Sequence, residues 1–245
     1  MLPDTLSKYI KVSEKSPKLF VQLYGKPVTG KTTGALTFPN PLVVNFDNNL
    51  PAGVKQIPMY DDAFVDGIVK RSNPRYPANR RDALKAVMID LCREMPEGST
   101  IIVDSMSRVE SAYNMQEDIE PKELTNKGEV DGFKMFRKRL TFYEDLFVLA
   151  QAARAHVVFI FHQQQERDEK GDLTKQIKPG LLGQMADKST AFFSTVLQAG
   201  IGPKGEYLWR VRPTQYEPAR VITTKPLTVD FIPQNFAALV ELQSQ

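Results

Sequence analysis

"KLFVQLYGKPVTGKTTGALTF" (residues 18–38) decides the fold of this 245-residue chain. Lys18 to Gly25 is a short apolar run ending in glycine, the pattern of a buried strand. From Gly25 the chain reads Lys26, Pro27, Val28, Thr29, Gly30, Lys31, Thr32, Thr33, which is Gly-x-x-x-x-Gly-Lys-Thr, a phosphate-binding loop. Gly25 and Gly30 let the backbone turn tightly and aim amides at phosphate oxygens. Lys31 brings a positive charge to the β- and γ-phosphates, and the Thr32 hydroxyl can ligate Mg²⁺. A helix opening at Lys31–Thr33 adds the field of its N-terminus. The competing reading is a chance match in a glycine turn; the strand before it and the helical pattern after it count against that.

Working outward, Pro41–Asp47 reads as a second strand closed by the turn-rich "DNNLPAG", and "VKQIPMYDD" as a short third one. Ala78–Met95 is helical, with Ala83, Val87, Leu91 and Met95 at i, i+4 spacing. "EGSTIIVDS" is a strand again, with a turn at Gly98. Phe133–Ala155 is the clearest helix: Phe133, Phe136, Leu140, Tyr143, Phe147 and Ala150 form one stripe. On that helix, Lys134, Arg137, Lys138 and Arg139 fall mostly on the solvated side. His156–His162 is a strand, followed by a polar segment from Gln163 to Lys188. "STVLQAGI", "EYLWRVRP" and "ARVITTK" read as consecutive strands, and "PQNFAALVELQ" as a short terminal helix. Strands alternating with helices predict an α/β fold with a mostly parallel sheet that ends antiparallel. The chain is expected to form one domain, with residues 1–17 as an N-terminal extension.

Composition narrows the chemistry. Apolar residues make up 42% and charged residues 25%, ordinary values for a globular protein. No run approaches a membrane span, and the N-terminus lacks a signal-peptide core, so a cytoplasmic setting is expected. Cys92 is the single cysteine and His156 and His162 are the two histidines, which excludes an internal disulfide and a thiolate- or histidine-rich metal site. A net charge of +3 permits nucleic-acid binding without arguing for it.

Two further stretches complete a nucleotide site. Asp104 ends the apolar "TIIVD" and can hold the hydration shell of Mg²⁺; its bland alternative is a helix N-cap. His162 and Gln163 emerge with Gln164 at a strand tip, where a polar side chain can sense the γ-phosphate; the alternative is a solvated loop start.

The order of these motifs resembles the RecA-like core ATPases. More narrowly, it is similar to the phage nucleotide-binding proteins that include the Sak-type single-strand-annealing recombinases. The resemblance covers about Lys18 to Gly202, and Lys178–Gln198 looks like that group's stretch after the sensor strand. It implies a RecA-like P-loop core, ATP and Mg²⁺, a subunit interface near the nucleotide and a homo-oligomer, ring or filament. It also implies DNA contacts from loops at about Asn114–Asp131 and Gln163–Lys188. Gly25, Gly30, Lys31 and Thr32 carry over as the phosphate loop, and Asp104 as the Mg²⁺-linked aspartate. One departure matters: RecA-like proteins often end the second strand as Asp-x-Glu, whereas this chain has Asp47-Asn48-Asn49. Asn49 orients a water but cannot take its proton as a carboxylate does. Hydrolysis is then slow, or Asp47 is the base, or nucleotide mainly sets conformation and assembly.

Candidate DNA contacts are basic. Arg71, Arg75, Arg80 and Arg81 surround Tyr76, and cations can track phosphates while an aromatic stacks a base. Arg167, Lys175 and Lys178 lie in the polar segment after His162, whose length and glycine suggest mobility; any of them can also reach a neighbour's γ-phosphate. The expected function is ATP-dependent binding of single-stranded DNA that promotes annealing or strand exchange in phage recombination, with a single-strand-binding protein as a possible partner. The alternatives are a nucleotide-dependent assembly or loader protein acting on a protein partner and, third, a small-molecule kinase. The motif order and the lack of an arginine-rich lid weigh against the kinase.

Overall fold

The computed structural model describes residues 18–69, 79–114, 131–181 and 184–244. The central sheet begins with β1 (Phe20–Gly25), all six residues of which are buried. After the phosphate loop come α1 (Lys31–Ala35), β2 (Pro41–Asn45), β3 (Gln56–Pro58) and α2 (Asp62–Ile68), then α3 (Arg80–Glu94), β4 (Thr100–Asp104) and α4 (Met106–Asn114). The second half holds α5 (Gly132–Ala152), β5 (His156–Arg167), β6 (Leu173–Pro179), α6 (Gln184–Phe192), β7 (Thr195–Ile201), β8 (Tyr207–Arg210), β9 (Phe231–Pro233) and α7 (Phe236–Gln243).

Strand order is β3-β2-β4-β5-β1-β7-β8-β9, with β6 attached to β5 alone. From β3 to β7 every pairing is parallel; β7–β8, β8–β9 and β5–β6 are antiparallel. The expected α/β fold, parallel with an antiparallel C-terminal end, is therefore the fold of this chain.

Because alternate residues of a strand face opposite sides, each central strand feeds two cores. Val157, Phe159 and Phe161 join Leu84, Met88, Tyr143 and Phe147 from α3 and α5 on one face. Val158 and Ile160 join Ala35 of α1, Trp209 of β8 and Leu239 of α7 on the other. Phe147 stands edge-on to Phe159 and Phe193, with centroids 5.3 and 5.0 Å away. Such aromatic contacts stabilise by roughly 0.5–1.5 kcal/mol each beyond area burial.

Several expectations shift in detail. On α3 the fully buried row is Ala83, Leu84, Met88 and Cys92, with Val87, Leu91 and Met95 only packed along its edge. The first turns of α5 outrun the core, so Phe133 is 69% exposed instead of joining the stripe. Arg139 of α5 turns inward to Glu110 of α4, 3.1 Å away, and Glu110 also accepts a hydrogen bond from the Tyr143 hydroxyl. Ala219–Lys225 forms no strand; Arg220 makes an isolated bridge to Val196, and β9 supplies the outer strand. The segment after His162, expected as a loop, contains strand structure. β5 runs on to Arg167, and β6 folds back on it with a register irregularity between Gln165 and Arg167. No helix among the described residues is long and apolar enough to cross a membrane.

Candidate nucleotide site

The site lies at the carboxyl ends of β1, β4 and β5. β5 sits between the strand that leads into the phosphate loop and the strand that ends in Asp104. Gly25 is the register partner of His162, so the loop, the acidic strand end and the polar strand tip converge without long side chains.

The loop turns through two left-handed residues, Val28 at φ 58° and Gly30 at φ 79°. A side chain at Gly30 is excluded twice over. Its φ disfavours L-residues, and a Cβ there would stand 2.8 Å from both the Tyr207 ring and the Gln234 amide oxygen. Gln234 also holds the loop from outside: its side-chain NH₂ donates to the Thr29 carbonyl at 2.9 Å. Thr29 Oγ1 donates to the Lys26 carbonyl at 2.8 Å, and Lys31 Nζ donates to the same carbonyl at 2.6 Å. Burial lowers the pKa of Lys31, with the charges of Asp104 and Asp47 opposing that shift.

Thr32 Oγ1 donates to Asp104 Oδ2 at 2.5 Å. Asp104 is 2% exposed, and burial pushes its pKa up to about 6, the Thr32 bond pulling the other way and the nearby Asp47 charge adding to the rise. Such a carboxylate is short of positive charge. Ser105 Oγ and His162 Nδ1 are buried polar atoms without hydrogen-bond partners among the described residues. These donors fit a nucleotide with a hydrated divalent cation: Lys31 and the loop amides for phosphate oxygens, Thr32 and Asp104 for the metal's shell.

β2 stops at Asn45, two residues short of the expected Asp47. Asn45 Oδ1 accepts from the N–H groups of Asp47 and Asn48, an Asx turn that puts Asn48 at φ 50°. Within that turn Asn49 is exposed while Asp47 is half-buried, and the Asp47 charge acts on Lys31, Asp104 and His162. His162 follows Val158 and Ile160 in strand alternation and so lies on the α1 face, whereas Gln163 follows Phe159 and Phe161 to the other. Burial and then the Lys31 charge lower the His162 pKa, which keeps the imidazole neutral at pH 7. The backbone N–H of His162 donates to Ser107 Oγ at 2.9 Å.

Sequence reasoning missed four neighbours. Ser107 positions His162, and Arg108 reaches Asp47 Oδ1 through Nε at 2.9 Å. Both sit on the first turn of α4, and their spacing after Asp104 was the available signal. Tyr207 and Gln234 come from the far end of the chain and left no local trace.

The candidate DNA contacts scatter. Arg71, Arg75 and Tyr76, and most of Asn114–Asp131, lie outside the described residues. Arg80 is turned back to the Met59 and Tyr60 carbonyls and to Asp62, and Arg81 is 2% exposed. Both are held by the protein itself rather than presented outward. Arg167 donates to the Gly171 carbonyl at the ribbon's turn, Lys175 lies 5.7 Å from the Tyr216 ring, and Lys178 pairs with Glu166 at 2.7 Å.

A strand inserted between the loop strand and the acidic strand, with Thr32 bonded to Asp104, is the arrangement of an α/β fold built around a phosphate-binding loop. The chain belongs to the AAA domain family, whose model matches residues 18–228, from the start of β1 to just short of β9. Among solved structures, the RadB recombinase is similar at 16% identity and a TM-score of 0.40, over 84% of this chain and 86% of that one. No curated protein matches.

Proposed function

We propose that this protein is a cytoplasmic, phage-type RecA-like ATPase that binds single-stranded DNA under nucleotide control and promotes its annealing or strand exchange as a homo-oligomer. The observation that carries the reading is the continuity of β5. It runs unbroken from His156 in the core, past His162 at the phosphate end of the site, to Arg167 at the tip of the β5–β6 ribbon. The ribbon is rooted where Gly180 N–H donates to the His162 carbonyl at 2.6 Å. A change at His162 is thereby felt by the element that carries Arg167, Lys175 and Lys178.

Lys31 and the loop amides hold the phosphates, and Thr32 with Asp104 holds Mg²⁺, which neutralises charge developing on the phosphates when bound. Asp47 is the carboxylate placed to accept a proton from water, since Asn49 has none to offer and is exposed. Arg71, Arg75 and Tyr76 remain candidates for the DNA backbone and a stacked base. A single-strand-binding protein is a natural partner for an annealing activity. Gel shifts with single-stranded DNA and ATPase assays with and without it test the reading: each ligand is expected to promote the other's binding or turnover, and mutual indifference would sink it.

One observation favours a second reading. The ribbon carries four acidic residues (Glu166, Asp168, Glu169, Asp172) against four basic ones (Arg167, Lys170, Lys175, Lys178). A balanced surface suits a protein partner better than a polyanion. In that case nucleotide drives assembly or loading, and light scattering would change with ATP while DNA binding stays absent.

A further inference from the structure

Lys26 and Arg108 are exposed cations near the site, and of the two Arg108 is the one fixed by a carboxylate. Lys31 is buried within its own loop. Arg108 is 65% exposed, and its single ion pair, from Nε to Asp47 Oδ1, leaves both terminal nitrogens without a partner among the described residues. The guanidinium thus presents its planar NH₂ groups to solvent, held in place by a carboxylate that is itself only 12% exposed. The position is defined by short links. Arg108 follows Ser107, whose hydroxyl accepts the His162 backbone N–H, and the Arg108 backbone N–H donates to the Ser105 carbonyl at 3.1 Å. Ser105 in turn follows Asp104. The Arg108 charge reaches His162 and acts on it in the same direction as that of Lys31. Arg108 is thus bonded to Asp47, and Asp47 lies within reach of the charges of Lys31, Asp104 and His162.

We propose that Arg108 is a γ-phosphate ligand supplied in cis, exchanging its bond to Asp47 for one to the terminal phosphate of a nucleoside triphosphate. The inference rests on the phosphate-loop reading of Gly25–Thr33. A planar guanidinium with two free NH₂ groups matches phosphate oxygens in a way that a lysine does not. The exchange has a second consequence. While Arg108 holds Asp47, one of the carboxylate oxygens is occupied. Once the guanidinium turns to phosphate, the same oxygen is released to accept a hydrogen bond from water. One side chain then reports the triphosphate and exposes the base, which answers how a site with Asn49 in place of glutamate can still hydrolyse. A diphosphate lacks the group that would draw Arg108 away, and the Asp47 pair persists.

The test is a comparison of affinities for ADP and for a non-hydrolysable ATP analogue, by titration calorimetry with Mg²⁺, in wild type, Arg108→Ala, Arg108→Lys, Asp47→Asn and Lys31→Ala. Arg108→Ala is expected to weaken the analogue roughly tenfold to a hundredfold, the loss of a charge-assisted contact, and ADP less than about threefold. Arg108→Lys should recover part of that loss. Asp47→Asn, which removes the competitor for Arg108, should leave analogue binding intact or tighter. Equal weakening of both nucleotides, or of neither, overturns the proposal, as does an Arg108→Ala variant that keeps the analogue and loses only single-stranded DNA. Lys31→Ala separates the two levels. If it weakens both nucleotides while Arg108→Ala changes nothing, this inference alone falls; if it weakens neither, the phosphate-loop reading falls with it.

Discussion

At Asp104 burial opposes ionisation of the carboxyl. Its carboxyl is 2% exposed and its pKa is raised from 3.8 to about 6, first by burial. The folded form therefore holds its proton more tightly than the unfolded chain does. The stability this group confers is complete below about pH 4 and is lost as pH rises to about 6. The shift corresponds to about 3 kcal/mol at neutral pH. Asp104→Asn should accordingly raise the thermal midpoint at pH 7.5 and flatten its fall between pH 4 and 6, while losing Mg²⁺-dependent nucleotide binding. A melting curve at each pH checks the first part; an unchanged profile would mean that Asp104 is not held in a charge-poor pocket. Lys31→Ala is expected to weaken ATP roughly tenfold or more through loss of a charged contact to phosphate, measurable by the same titration. The residues that were legible in the sequence, Lys31, Thr32 and Asp104, belong to contiguous motifs whose spacing encodes their geometry. Arg108 was not, because its meaning depends on Asp47 being brought next to it across the β2–β4 pairing. Gln234 was not, because a glutamine 205 positions from Thr29 carries no pattern.

At the scale of elements, the hydrophobic signal was read correctly where a strand meets a core and incorrectly where it leaves one. Val157 to Phe161 are buried and unmistakable. The same strand from Gln163 to Arg167 lies beyond the sheet, so its alternation has no apolar side to reveal it, and polarity mimics a loop. The error in the stripes of α3 and α5 has a related cause: the period gives a face, but only the neighbouring elements decide which row of that face is deepest. Gly180 offers a direct probe of the ribbon. A Cβ there would stand 2.7 Å from the His162 carbonyl oxygen, a backbone atom that cannot swing aside. Gly180→Ala should destabilise by roughly 1–3 kcal/mol, the usual range for overpacking. It should also separate two activities: nucleotide binding is retained, and the effect of DNA on turnover is lost. Chemical denaturation and a DNA-stimulated ATPase assay check the two halves; preserved stimulation in a destabilised variant would show that the ribbon is not the coupling element.

For the molecule as a whole, the C-terminal part buttresses the phosphate loop from outside. β8 and β9 bring Trp209 and Gln234 against Gly34 and Gly30, and the α7 entrance is tied to α1 through Phe236 N–H donating to Thr37 Oγ1 at 2.8 Å. The ribbon leaves the sheet on β5, next to β1 in the middle of the strand order. The proposed route from nucleotide to the surface runs through His162 and Gly180, joined by one backbone hydrogen bond. This route is proposed to control binding of single-stranded DNA. Its most direct test is the affinity of the full chain for a fluorescent single-stranded oligonucleotide, measured at one salt concentration with no nucleotide, with ADP and with a non-hydrolysable ATP analogue. Tighter binding is expected with the analogue than with ADP, and no such difference in Lys31→Ala. Equal affinity in all three states of the wild-type protein would contradict it.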